Sequence, residues 1–206
     1  MPQKKVLLVV GLGNPGDAYV KTRHNAGFMV LDEVAESFSI SIEKRKFDAL
    51  FGRGLIEDSE VILAKPMAFM NLSGIPVQKI LNYFKIPFEN MLVIHDDIDL
   101  AFGRLQIKEN GGHGGHKGLK SIIETVGSCN FVRLRIGIGR SEENIGVANY
   151  VLGKFSTNEK KLLDRITKRA RDAVVATTCK GAKEAMNIFN DKRLITTQVQ
   201  SSKVQG

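Results

Sequence analysis

The sequence predicts an α/β fold, a single-domain three-layer α/β/α sandwich around a mixed, mostly parallel twisted sheet. Three observations lead there. Short apolar runs bounded by turn residues alternate with segments whose apolar residues recur every three or four positions, and there is no internal repeat. The run Val6–Val10 is apolar at every position, as a strand buried on both faces must be. With 206 residues, 43% apolar and 25% charged, the chain has the size and composition of one globular domain. Residues 1–190 are expected to form that domain, and the polar stretch 191–206 a loose tail.

Each element has its own signal. Val6–Val10 is the first strand, and Gly11-Leu-Gly-Asn-Pro-Gly16 ends it. Phe28, Leu31, Val34, Ala35 and Phe38 share one face of a helix over Asn25–Phe38. Phe47–Glu57 and Glu60–Lys65 read as an antiparallel hairpin turning at Asp58-Ser59. Pro66–Gly74 is a loop, and Pro76 opens a helix to Lys85. Met91–Ile94 is a buried strand that runs into His95-Asp-Asp-Ile-Asp99. Arg104–Lys108 alternates like a half-buried strand, Leu119–Val126 is a short helix, and Phe131–Ile138 alternates again. A loop through Arg140–Gly146, a helix from about Asn158 to Thr178 and a last helix at Ala182–Phe189 complete the reading.

Bulk features narrow the partners. No apolar run reaches membrane-spanning or signal-peptide length. Cys129 and Cys179 lack paired spacing and read as reduced, buried thiols of a cytoplasmic protein. The net charge of +8 is unevenly placed. Residues 1–153 hold 18 Lys/Arg against 17 Asp/Glu, whereas residues 154–206 hold 12 against 5. A near-neutral body with a basic C-terminal segment suits a polyanionic partner held beside a separate chemical site, although a solvated basic helix gives the same count.

One motif misleads. Gly11-Leu-Gly13-Asn-Pro-Gly16 fits the dinucleotide fingerprint G-x-G-x-x-G after a strand. In that fingerprint the helix begins inside the glycine loop, so that its free N–H groups meet the pyrophosphate. Here Pro15 removes a donor and Asp17–Arg23 separates loop from helix.

The chemistry-bearing residues lie where strands end. His24 precedes a helix, and a helix N-terminus disfavours the imidazolium, which suits a neutral imidazole that accepts a proton near pH 7. Asp96 follows another core strand, and a carboxylate on one ring nitrogen would fix the tautomer of His24 and stabilise its protonated form. Asp97 or Asp99 could take that place, and spacing does not choose among them. No nucleophile elbow or activated cysteine is present, so a His–Asp pair points to direct activation of water. Asn71 could orient water or donate to an oxyanion, with Phe69 and Met70 flooring an acyl pocket. Capping and core packing are the plainer roles for these three, and ordinary turn chemistry for Asn14. The loop Gly111–Gly118 carries five glycines and Lys117 ahead of a helix, a possible phosphate or sugar cradle without Walker spacing. The histidines at 24, 95, 113 and 116 and the nearby aspartates form no known metal-ligand spacing, and no metal or cofactor is expected.

Together these residues resemble the bacterial peptidyl-tRNA hydrolase family. The resemblance rests on V-G-L-G-N-P-G at 10–16, T-R-H-N-A-G at 22–27, F-M-N-L-S-G at 69–74, H-D-D-I-D-L at 95–100, G-G-H-G-G-H at 111–116 and R-L-R-I-G-I-G at 133–139. It implies a monomeric, metal-free cytoplasmic esterase that cleaves peptide from the 3′ end of tRNA. It implies His24 as the base, Asp96 as its orienting carboxylate, Asn71 holding substrate or water, and Asn14 discriminating peptidyl from free aminoacyl ends. Tyr19 and Phe69 would line the groove for the tRNA end, beside Met70 and the loop residues Gly115 and His116. Lys108 and Arg135 would meet the acceptor stem. The family often carries Asn after the second loop histidine, where this chain has Lys117, which leaves that amide's role without its donor.

Overall fold

The computed structural model describes residues 6–141 and 145–190. The tail from Asp191, and the centre of the expected 140–146 loop, lie outside the described residues. Seven strands form one sheet in the order β2-β3-β4-β1-β5-β7-β6. They are β1 Leu7–Gly11, β2 Lys44–Lys46, β3 Ala49–Ile56, β4 Ser59–Pro66, β5 Met91–Asp97, β6 Leu105–Glu109 and β7 Val132–Gly137. The central strands β4, β1, β5 and β7 are mutually parallel, whereas β2–β3, β3–β4 and β6–β7 pair antiparallel. The sheet is therefore mixed, parallel at its centre and antiparallel at both ends.

Alternation along the central strands explains their unbroken apolar runs. Val9, Leu92 and Ile94 face one layer, built from α1 Ala26–Ser37, α5 Thr157–Lys180 and α6 Ala182–Phe189. Leu8, Val10, Met91 and Val93 face the other, built from α2 Gly74–Phe84 and α3 Lys117–Val126. Both faces are dry, so no polar alternation survives. A short helix, α4 Val147–Leu152, packs at the carboxyl end through Ile138, Val151 and Phe155.

The sequence expectations differ from the structure in instructive places. Strand β2 is three charged residues and α4 is six residues, both too short for a periodic signal. The hairpin β3–β4 turns at Glu57-Asp58, one residue before the expected turn, and Glu57 takes a positive φ of 49°. The expectation of buried cysteines is wrong: Cys129 and Cys179 are both exposed. Cys129 lies in the loop between α3 and β7, and Cys179 in the last turn of α5, its Sγ 3.8 Å from the Ile56 carbonyl.

Two glycines let the layers close where the site forms. A Cβ on Gly27 would lie 2.4 Å from the Ile94 carbonyl and 2.5 Å from the Leu12 amide. Only glycine lets the first turn of α1 rest on the ends of β1 and β5. A Cβ on Gly118 would lie 2.5 Å from the Met70 sulfur, so α3 packs close against the Met70 side chain, which would have to move aside for a larger residue.

Candidate active site

His24 lies in a 3-10 turn, Arg23–Asn25, that leads into α1. Because α1 is pressed onto the end of β5, the imidazole meets Asp96, the next-to-last residue of that strand. His24 Nδ1 is 2.8 Å from Asp96 Oδ1, and the two residues are 8% and 2% exposed. Of the carboxylates that spacing left open, Asp96 takes this position. Asp97 accepts instead from Arg135 Nε at 2.7 Å, and Asp99 pairs with Arg140.

The same Asp96 oxygen receives a second imidazole. His116 Nε2 lies 3.0 Å from Asp96 Oδ1. The N-cap geometry of α3 fixes its tautomer: His116 Nδ1 accepts from the amides of Gly118 at 3.1 Å and Leu119 at 3.3 Å. A nitrogen that accepts two N–H groups carries no proton, so Nε2–H is the donor to Asp96. Asp96, an acceptor only, then accepts a hydrogen bond from His24 Nδ1–H as well, which leaves His24 Nε2 bare. Burial alone would raise the Asp96 carboxyl, but the charge and hydrogen bonds of His116 and His24 outweigh it and hold the group below the ordinary carboxylate range.

His95 completes a cluster of three rings. It is 2% exposed, and its ring centroid lies 4.9 Å from that of His116. Its Nδ1–H donates to the Asp96 carbonyl at 2.7 Å, while Nε2 is buried without a partner among the described residues. Burial, aided by His116, pushes His95 down to about 3, so this ring stays neutral.

A cleft of about 590 Å³ opens over this cluster. Its lining includes Asn14, Tyr19, His24, Phe69, Met70 and Asn71, together with Asp96, Gly115, His116 and Lys117. Val147, Ala148, Val151 and Leu152 of α4, with Ile98, close the apolar side. Asn14 joins two loops: its Oδ1 accepts from the Met70 amide at 2.8 Å, and its backbone is clasped by the Asn25 side chain at 2.9 and 3.0 Å. With the oxygen so engaged, the Asn14 Nδ2 group is the donor left for the cleft. Phe69 is 57% exposed at the rim, Met70 is buried beneath it, and Asn71 is exposed on the short turn Met70–Leu72.

Most of the sequence-predicted residues therefore converge, and two do not. Lys108 and Arg135 lie outside the cleft lining, on the β6–β7 edge. Arg135 is tied to Asp97 and Gln106, and Lys108 is exposed beside Gly111. Sequence reasoning did not foresee that Asn25 braces Asn14, nor that α4 walls the cleft. Asn25 had one signal, its place directly after His24 in a turn that must be fixed. Residues His24, Asp96 and His116 also form the group whose ligand atoms, all within 4.8 Å, could surround a cation among the described residues.

An α/β fold with a buried pair of imidazole and carboxylate at the carboxyl ends of a central parallel sheet, and no Ser, Thr or Cys among the described residues lining the cleft, is an arrangement that suits a hydrolytic enzyme. The sequence model of the family described as peptidyl-tRNA hydrolase matches residues 8–197. A peptidyl-tRNA hydrolase of Clostridium perfringens is 43% identical over 185 residues, covering 90% of this chain and 97% of its own. One from Geobacter sulfurreducens is 44% identical over 188 residues, covering 91% and 97%. The crystal structure of peptidyl-tRNA hydrolase from Acinetobacter baumannii superposes with a TM-score of 0.84 at 40% identity, covering 92% and 97%. The chain belongs to the peptidyl-tRNA hydrolase family and is a hydrolase of that kind. No described helix is long and apolar enough to cross a membrane.

Proposed function

We propose that the chain hydrolyses the ester between a peptide, or an N-blocked amino acid, and the 3′ end of tRNA, so returning tRNA from prematurely released or stalled translation products. The observation that carries the mechanism is the 2.8 Å contact of His24 Nδ1 with Asp96, which leaves Nε2 to accept a proton. Water donates a proton to Nε2, and its oxygen attacks the ester carbonyl carbon. The bond from that carbon to the ribose oxygen then breaks, and the His24 proton passes to the departing oxygen. Asp96 stabilises the imidazolium between these steps. An alkoxide departs more readily than an amine, so a base of ordinary strength is adequate.

The remaining cleft residues bind and orient. Asn71 and Asn14 Nδ2 supply donors for the carbonyl oxygen and the peptide amide carbonyl. Asn14 also supports discrimination. A blocked amino end offers that donor a carbonyl, whereas a free amino end offers only further N–H groups. Tyr19, Phe69 and Met70 form the apolar floor, while Gly115, His116 and Lys117 lie where the terminal nucleotide would rest. Lys117 supplies a cation for a phosphate oxygen. Lys108 and Arg135 form a second, edge contact for the acceptor stem. The start of α5 lies against the His24 turn, because Thr22 pairs with Lys154 and Arg23 with Glu159. The exposed Lys154, Lys160, Lys161 and Arg165 therefore flank the site as a grip for the tRNA backbone.

The chain acts as a monomer without metal. A cation between His24, Asp96 and His116 would have to displace the Nε2 proton that the cap of α3 fixes on His116. The test is hydrolysis of N-acetyl-aminoacyl-tRNA and of unblocked aminoacyl-tRNA in the presence of a chelator. Rapid release from the blocked substrate only is expected. Equal release from both, or none until metal is restored, would overturn the reading.

A further inference from the structure

Arg23, next to the proposed base, makes its side-chain contacts with the segment 150–159 instead of with the turn it belongs to. Its Nη1 donates to the Lys154 carbonyl at 2.9 Å and its Nη2 to Glu159 Oε2 at 2.8 Å. That same Glu159 oxygen closes the capping box of α5 with the Ser156 amide at 2.6 Å. The guanidinium carbon lies 4.4 Å from the centre of the Tyr150 ring and 5.5 Å from that of Phe155. The Arg23 side chain is 11% exposed. Its own amide donates to the Gly153 carbonyl at 3.0 Å. A Cβ on Gly153 would come within 3.1 Å of Nη1, so the chain passes close beneath the cation.

These partners are the attachments of α4. That helix has six residues and no side-chain cap, and so short a helix has little stability of its own. It is held by the small apolar cluster of Ile138, Val151 and Phe155, by Tyr150 donating to the Ile138 carbonyl at 2.7 Å, and by Arg23. It also supplies Val147, Ala148, Val151 and Leu152 to the cleft.

We propose that Arg23 is a positioning residue that clamps α4 to the His24 turn and so fixes the apolar wall against which the acyl group rests. The clamp is a statement about this chain's own contacts, and its effect on substrate rests on the hydrolase reading above. Arginine suits the task because its planar fork satisfies a carbonyl and a carboxylate while a flat face meets an aromatic ring. Lysine would keep the charge and lose both the fork and the face.

Hydrogen exchange of the amides of 150–153, the ones that α4 hydrogen-bonds, tests the clamp without reference to activity. In Arg23→Met these amides should exchange at least about tenfold faster, and in Arg23→Lys by less, with the β1 and β5 amides unchanged. Tyr150→Leu should also speed this exchange, and because the two side chains share the contact between cation and ring, the double variant should fall short of the sum of the two single effects. Kinetically, Arg23→Met should raise KM for peptidyl-tRNA roughly tenfold, leaving kcat within about twofold and its pH profile unmoved. Unchanged exchange in 150–153, or faster exchange spread evenly over the chain, would overturn the clamp. Faster local exchange with KM unchanged would remove the substrate wall from the proposal, and a fall in kcat with a shifted pH profile would make Arg23 a partner of His24 instead. If the wild-type protein failed to hydrolyse peptidyl-tRNA, the functional reading would fall while the exchange result still decided the clamp.

Discussion

Replacing Asp96 by Asn removes one charge from a buried site and keeps its volume. In the native site the carboxylate accepts from His24 Nδ1 at 2.8 Å and His116 Nε2 at 3.0 Å through one oxygen. An imidazolium centre and a carboxylate centre about 4 Å apart, at an effective dielectric of about 20, attract each other by about 4 kcal/mol. If that attraction is realised only when His24 holds the proton, its loss slows the proton-transfer step by about three decades. Asn can keep its oxygen toward one ring but then turns its NH2 elsewhere, and it no longer dictates which His24 nitrogen is bare. Single-turnover hydrolysis of N-acetyl-aminoacyl-tRNA by Asp96→Asn should therefore fall by roughly a hundred- to ten-thousandfold, with binding little changed. A melting temperature close to wild type would show that the site alone was altered. A folded variant within about tenfold of the wild-type rate would refute the charge argument.

Other expectations follow from the same geometry. Asn14→Asp replaces the free donor by an acceptor, and should narrow the preference for blocked over unblocked aminoacyl-tRNA about tenfold or more, read as the ratio of kcat/KM values. His95 titrates at about 3 in the folded chain against 6.5 when free of it, with His116, Asp96 and Asp97 its charged neighbours. The unfolded chain then holds the extra proton between those values, so stability is lost as pH falls through that window, by up to about 1.4 kcal/mol per pH unit. Urea midpoints at a series of pH values should show this slope in the wild type and a flatter one in His95→Phe. Neutralising Lys160, Lys161 and Arg165 should lower the slope of log affinity for tRNA against log salt by about one per lost phosphate contact, with kcat unaltered. Gly27→Ala would drive a Cβ into the Ile94 carbonyl and the Leu12 amide. It should lower stability by roughly 1–3 kcal/mol or more and impair activity in parallel, read by denaturant unfolding.

Particular residues show why part of this was legible in the sequence. His24 and Asp96 announced themselves because α/β sheets carry sites at the carboxyl ends of central strands, and both residues follow such strands. The mixed sheet was legible from apolar runs that either filled every position or alternated. The double use of Asp96 was not. Sequence order puts His116 in a glycine-rich loop, and only its place as the N-cap of α3 turns its ring to a carboxylate twenty positions earlier. The α4 wall was invisible because six residues make less than two turns, too few for a periodic pattern. Cys129 and Cys179 misled because apolar neighbours in sequence say little about which face of a helix or turn a side chain occupies. Lys108 and Arg135 lie beyond the cleft because β6 is the sheet's outer strand and Arg135 is drawn to Asp97.

The most direct test is the rate of release of N-acetyl-amino acid from tRNA by His24→Ala, measured under single-turnover conditions in chelator beside the wild type. With water activated by the bare imidazole nitrogen, the variant should bind the substrate normally and lose about three or more decades in rate. A folded His24→Ala protein that releases the product at close to the wild-type rate would contradict the assignment of the base, and with it the mechanism built on Asp96.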